Sequence, residues 1–448
     1  MESTDPNSDD APRPITTSEG NVNRKMISSA VQVATFCRRP QIWKWLFRYI
    51  VRSKITVAMV LGLMCLGVGT VVWRHRAVDY WYRTGLASIS RSDLEMIQLA
   101  VQHLPADSAR ARLLLGAIDL RTNKPASALR KFELAAHDPE TTLRAHFLAG
   151  EALCRLQDYE AAIATLQKAL EQDLDNVDGH RWLAIAFFDI GASINSIDQL
   201  KEVVRLDGTD PRAYRLMGLI YFEAEEFSLA IDAYHASLNC SRSQFDTEQI
   251  LAELGAALVK VHRYNNVLSL LNEAPASPEL DSLRAESLYA LGRGEEARTL
   301  VEQVLKTSKT SRALILQGLM LLDDGRAAEA IVPLAQFVAS HPEDFETRAK
   351  LTQAYSQSGN AESARRELKE FERIKQIRQQ IHELSLKAAK QPQDADIRYE
   401  LGLQYLKLGL APAGLKWIRA ALALNPAHEA ARKAIAELSE SIPSSNRN

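Results

Sequence analysis

The chain has 448 residues, 25% of them charged, 46% hydrophobic and 7% aromatic. Its 54 Lys and Arg stand against 56 Asp and Glu, a formal charge of −2 that argues against a nucleic-acid partner held by bulk positive charge. Four Cys exclude a disulfide-stapled scaffold, and 20 Gly with 16 Pro exclude collagen-like and Pro/Gly-rich disordered classes.

The near-neutral total is unevenly spread. Nine of the basic and five of the acidic residues fall within 1–54, a local charge of +4, and the remaining 45 and 51 carry −6. Residues 1–40 read as a disordered basic tail. The first 23 are rich in Ser, Thr, Asp and Asn and have no apolar period, so they cannot bury enough surface to offset chain entropy. Residues 41–54 form a juxtamembrane basic amphipathic segment. There Lys44, Arg48 and Arg52 recur every four residues on one helix face, opposite Ile42, Trp45, Leu46, Tyr49 and Ile50. An interfacial helix on anionic lipid and a snorkelling helix end both leave Lys44, Arg48, Arg52, Trp43 and Trp45 at a membrane surface, with membrane lipid as a partner.

Residues 55–73 are the expected transmembrane helix. Ile55–Trp73 is nineteen residues without a charge, roughly 28 Å at ~1.5 Å per residue, against a bilayer core of about 30 Å. The competing readings are a buried core helix and a cleaved signal. A signal would be shorter and followed by small residues, whereas this run ends in Val-Val-Trp-Arg, so an uncleaved anchor is expected. Four of the six Trp (Trp43, Trp45, Trp73, Trp81) lie at its two ends, as an interface selects. Six Lys/Arg precede the span within twenty residues and four follow it. That bias puts the N-terminus in the cytoplasm and the following domain on the periplasmic, extracytoplasmic side of a single-pass protein. Ala58/Gly62 and Cys65/Gly69 place small residues four apart, a weak signal for a homo-oligomer formed through the span.

From Arg74 onward amphipathic helices follow one another, and they fall into a 34-residue register. Leu143–Asn176, Val177–Asp210, Pro211–Gln244, Ser311–Asp344 and Ala395–His428 align without gaps. Each has a small residue at its eighth position: Gly150, Ala184, Gly218, Gly318 and Gly402. Leu153, Phe187, Tyr221, Leu321 and Tyr405 hold the eleventh, and Ala162, Ser196, Ala230, Ala330 and Gly414 the twentieth. Two antiparallel helices of about twelve residues fit in such a unit. Small residues where they cross let the backbones approach, and the eleventh residue fills the space beside them. One pair cannot bury its own apolar face, so the units must stack.

These units resemble the tetratricopeptide repeat (TPR) family, most clearly in GLIYF at 218–222, GLQYLKLG at 402–409 and the Asn-Pro after ALAL at 421–426. The resemblance implies an all-α fold: a right-handed superhelical solenoid of about ten helix pairs. Units 1–6 occupy 75–274 and units 7–10 occupy 278–441. A C-terminal capping helix closes the array, and residues 442–448 are a disordered tail. The match is weak in 75–108, where Tyr82 replaces the small eighth residue, and loose in 248–310. Residues 361–391 lack Gly and Pro. There the ninth unit's second helix runs on, or an extra helix follows near 373–390. Ile374, Ile377, Ile381, Leu384 and Ala388 give that stretch either a packing face or a short coiled-coil seam to a partner.

Chemistry-bearing motifs are missing: there is no GxxxxGK[ST], GxGxxG after a strand, HExxH, GxSxG or CxxC. No enzyme activity, metal or cofactor is expected. What the family resemblance implies instead is a concave groove lined by the first helix of each unit. Carried onto units three to five, its exposed positions include Arg144, Phe147, Arg155, Arg181, Phe188, Arg212, Arg215 and Phe222, with Glu151, Cys154, Asp178, Ile185, Asp189, Leu219 and Glu223 among them. The arginines and phenylalanines suit an extended acidic or aromatic peptide. The alternative is that the phenylalanines pack between units and the arginines pair with neighbouring acids. The expected function is a membrane-anchored scaffold or adaptor for protein partners of unknown identity, in bacterial envelope assembly or a chaperone-like role. The alternative is a self-associating structural membrane protein with no peptide ligand.

Overall fold

The computed structural model describes residues 44, 48, 54–91, 93–240, 247–391 and 393–441. The tails expected over 1–40 and 442–448 lie outside the described residues, as do Trp43, Trp45 and Arg52. Lys44 and Arg48 are helical and exposed. Among the described residues there are 21 helices and no strand. The chain divides into two compact units, Met1–Arg83 and Thr84–Asn448.

Helix α1 (Lys54–Arg91) begins in the first unit and is 38 residues long. Its stretch Ala58–Ile89 is long and apolar enough to cross a membrane. Met59, Leu63, Leu66 and Trp73 are exposed, and none of the apolar window is buried, so that part of the helix is no globular core element. It runs unbroken past Trp73, where the sequence alone placed the end of the span.

In the second unit α2 (Leu94–Gln102) is followed by a run of antiparallel pairs. These are α3/α4 (Ala109–Arg121, Pro125–Ala135), α5/α6 (Thr142–Arg155, Tyr159–Leu170), α7/α8 (Val177–Asp189, Ser193–Leu206) and α9/α10 (Pro211–Glu223, Phe227–Cys240). Next come α11/α12 (Thr247–Lys260, Tyr264–Leu271), α13/α14 (Pro278–Ala290, Gly294–Thr307) and α15/α16 (Ser311–Asp323, Ala327–Ser340). The last are α17/α18 (Phe345–Gln357, Ala361–Lys390) and α19/α20 (Ala395–Lys407, Ala411–Leu424), closed by α21 (Glu429–Ser441). Each helix packs on its neighbours in sequence, as a stack of pairs requires.

The period has local causes. Asn176, Asp210, Asp344 and Asp394 each stand just before a unit, and each side chain accepts a hydrogen bond from a backbone N–H in the first turn of the helix that follows. Between the two helices of a unit one residue takes a left-handed conformation: Asn123, Gln157, Gly191 and Glu225 first, then His262, Gly292, Gly325, Gly359 and Gly409. The first four are 34 residues apart. At each of them the first helix ends in paired backbone bonds, such as Gly191 N–H to Phe188 O (2.9 Å) and Ala192 N–H to Phe187 O (2.8 Å). The spacing breaks around His262, where the sequence match is loose, and before Gly409, because α18 is a single 30-residue helix.

The eighth-position residue is small because a large side chain lies on it. A β-carbon on Gly150 would collide with Leu166, one on Gly218 would stand 2.7 Å from the Tyr234 ring, and one on Gly318 would stand 2.5 Å from Leu334. These partners share the twenty-fourth position, so that residue, rather than the eleventh alone, fills the crossing. At Gly402 the backbone itself intrudes, because its β-carbon would stand 2.9 Å from Gly414 O. In the first pair the close approach falls at Gly85, against Leu114 and Ala100, three residues from the Tyr82 register, which explains the weak match there.

Two irregular stretches prove continuous. Leu271, Leu280 and Leu283 join Ile250 and Leu254 in one buried cluster, so the core runs straight across the loop at 274–278. The apolar face of α18 is buried within the chain: Ile374 and Ile377 meet Leu408, and Leu384 and Ala388 meet Leu401. That face is packing for the next pair rather than a seam open to a partner.

Replacing Gly402 with Val should destabilise the last pairs by about 1–3 kcal/mol, because the obstructing atoms belong to the backbone. Gly294→Ala, where a β-carbon meets nothing within 4 Å, should be neutral. Hydrogen exchange over 395–424 in the two variants checks this.

Candidate partner-binding surface

The residues singled out from the sequence sit on α5, α7 and α9, the first helices of units three to five. The stack brings them side by side, but most are already engaged. Phe147 is buried, and its ring covers Gly179 of the next unit, so it belongs to the core and is not open to a ligand. Cys154 is buried beside it, and burial pushes its thiol up to about 12. Arg155 donates to Glu151 (2.7 Å) and to Leu120 O (2.9 Å) and lies over the Trp182 ring. Glu151 is itself buried, with Arg121 of the preceding unit 3.5 Å away. Burial raises its carboxyl above the usual range despite those two cations.

Arg181 is almost enclosed, held by Asp178 and by Asp210, whose carboxylate accepts from its Nε at 2.8 Å. Arg215 forms a two-pronged pair with Glu253 of the next unit, at 2.9 and 2.7 Å. Arg212 reaches Asp210 at 3.0 Å while its side chain stays 66% exposed. Arg144 is exposed and makes no ion pair or hydrogen bond among the described residues. Phe222 is half-buried edge-on to Phe227, 5.4 Å between centroids. The arginines therefore act mostly as cross-unit ties, and the accessible positive charge is concentrated at Arg144 and Arg212.

Phe188 has a partner that sequence spacing could not reveal. Lys416 Nζ, from α20 near the end of the array, stands 3.7 Å above the centre of its ring and 3.0 Å from Glu223. Three residues on, Arg419 donates to Gln157 Oε1 at 2.8 Å and lies over the Tyr159 ring at 5.6 Å. Asp189 lies among these groups. Burial raises its carboxyl, against the Tyr159 hydroxyl, Lys416 and Arg419, all of which lower it. The only available signal was compositional: acids end the first helices of units four and five, and α20 carries two cations at i and i+3.

A family model described as "TPR repeat" matches residues 150–191, and one described as "Tetratricopeptide repeat" matches residues 282–345. The chain thus carries tetratricopeptide repeats in both of these stretches. Among solved structures it is similar to PilF of Pseudomonas aeruginosa, with 18% identity over 48% of this chain and 99% of that one and a TM-score of 0.40. A tetratricopeptide repeat protein from Parabacteroides merdae shares 16% identity over 59% of this chain and 98% of its own, at a TM-score of 0.39. MamA from Desulfovibrio magneticus shares 21% over 38% and 98%, at 0.33. No curated protein matches the sequence.

In this TPR array Asp210 is the most heavily used carboxylate. It caps α9 through the backbone N–H of Arg212 and receives Arg181 and Arg212. Burial alone would raise its carboxyl, but the two guanidinium groups outweigh burial and hold it below the ordinary value of 3.8. A depressed carboxyl contributes stability above that value and loses it as the pH falls through its own lowered value. Asp210→Asn should therefore cost about 1–3 kcal/mol at neutral pH, from the weakened cap and the uncompensated Arg181. The difference from the parent should shrink in strong acid, as denaturant melts across pH would record.

Proposed function

We propose that this TPR protein is a membrane-anchored scaffold that holds protein partners close to a bilayer, in bacterial envelope assembly or a chaperone-like role. The observation that carries the reading is the span candidate Ala58–Ile89, whose residues 58–76 are all exposed, in the same chain as an array of stacked helix pairs. A stretch of that length left open to water would be a serious aggregation liability, so a lipid environment accounts for it. The excess of Lys and Arg ahead of the span supports an N-terminus in the cytoplasm and an array on the periplasmic, extracytoplasmic side. The exposed arginines Arg144 and Arg212 offer an acidic peptide its first contacts.

Protease added to spheroplasts should degrade the array, and an array that stays intact until the membrane is lysed would reverse the topology. Full-length protein purified in detergent should capture partners from a membrane extract. Arg144→Glu with Arg212→Glu, both at exposed side chains, should lower that capture at least fivefold. Undiminished capture by a folded double variant removes this groove as the site.

A further inference from the structure

The 34-residue period places Gln157, Gly191 and Glu225, three equivalent left-handed turns, in a row along units three to five. One helix from far along the chain lies against this row. Arg419 of α20 meets Gln157 and Tyr159 at the first turn. At the second, a β-carbon built on Gly191 would stand 3.8 Å from both Ala420 Cβ and the Trp417 ring. Between the second and third, Lys416 meets Phe188 of α7 and Glu223 at the end of α9. The polar contacts span 262 and 193 residues of sequence.

We propose that this row of turns, with its acids and aromatic rings, is a docking surface for a cationic amphipathic helix, and that α20 is its tethered, exchangeable occupant. The partner chemistry follows from what sits there now. It is a helix with Lys or Arg at positions i and i+3, a bulky aromatic at i+1, and a small residue at i+4 that clears the turn. Cation–π contacts over Phe188 and Tyr159, and a carboxylate at each of Asp189 and Glu223, read that pattern.

Exchange is feasible because of how α20 is held. Consecutive pairs are joined through buried side chains such as Phe147, seated on Gly179, and Leu283, seated on Gly255, whereas α20 meets the row through the small Ala420 and Ala423, the edge of the Trp417 ring and the ends of Lys416 and Arg419. Its ion pair is partly solvated, with Glu223 49% exposed, and such pairs contribute little each. A tethered occupant still excludes a free competitor, because apparent affinity falls by the fraction of molecules whose surface is vacant.

The scaffold reading explains why such exchange would matter, but the test needs neither a cellular partner nor Arg144 and Arg212, so the two can fail separately. The probe is a labelled peptide with the sequence of residues 411–424, titrated onto full-length protein in detergent, with a peptide reversed at both cations as control. In the variant K416E/R419E, hydrogen exchange at 154–160, 187–192 and 221–227 should rise. The peptide should then bind at least tenfold more tightly than it binds the parent. Adding E223K should abolish that binding, whereas E223K combined with K416E alone should restore the parent's protection and show that the variants fold. Unchanged exchange, equal binding to parent and variant, or no binding to either would overturn the proposal and leave α20 a permanent part of the array.

Discussion

The structure depends on how closely two helices can approach at the eighth position of each unit. With Gly or Ala there, the residue at the twenty-fourth position seats directly on the backbone: Leu166 on Gly150, Tyr234 on Gly218, Leu334 on Gly318. That contact sets the distance within a pair, and the pair then presents an apolar face too large to leave in water. The next pair covers it, as Phe147 covers Gly179, and the array grows by repeating the step. The Asp and Asn caps and the left-handed turns follow the same period because each must recur wherever a helix starts or stops.

A strict period has a consequence beyond stability. It sets chemically different residues at equivalent places in a row, and so makes a linear surface out of turns distant in sequence. Along the first helices of units three to five, the inward positions are occupied by the chain's own ion pairs. Arg181 with Asp210 and Arg215 with Glu253 tie one unit to the next, which neutralises charge that would otherwise attract a ligand. Acids at the ends of α7 and α9 are instead met by the cations of α20. The last pair thus meets units three to five through side chains whose pairing no local rule encodes.

Much of this was legible in the residues themselves. Small eighth positions and the 34-residue register identified the units, because helix crossing restricts side-chain volume at fixed spacing. Register failed where spacing changed. Gly85 does in the first pair what Tyr82 could not, and α18 extends through a stretch with neither Gly nor Pro to end it. The groove residues were harder. A periodic pattern says that Phe147 and Phe188 lie on the first helix of a unit, but not that one is roofed by its neighbour while the other receives a lysine from α20.

By itself the sequence determined the helices, their pairing and the apolar stretch, since each rests on local propensity, capping or a period of a few tens of residues. Only the tertiary structure decided which charges remain accessible and what α20 touches. Those outcomes depend on the accumulated rotation of several stacked pairs, and each small packing angle between units contributes to where Lys416 and Arg419 finally come to rest.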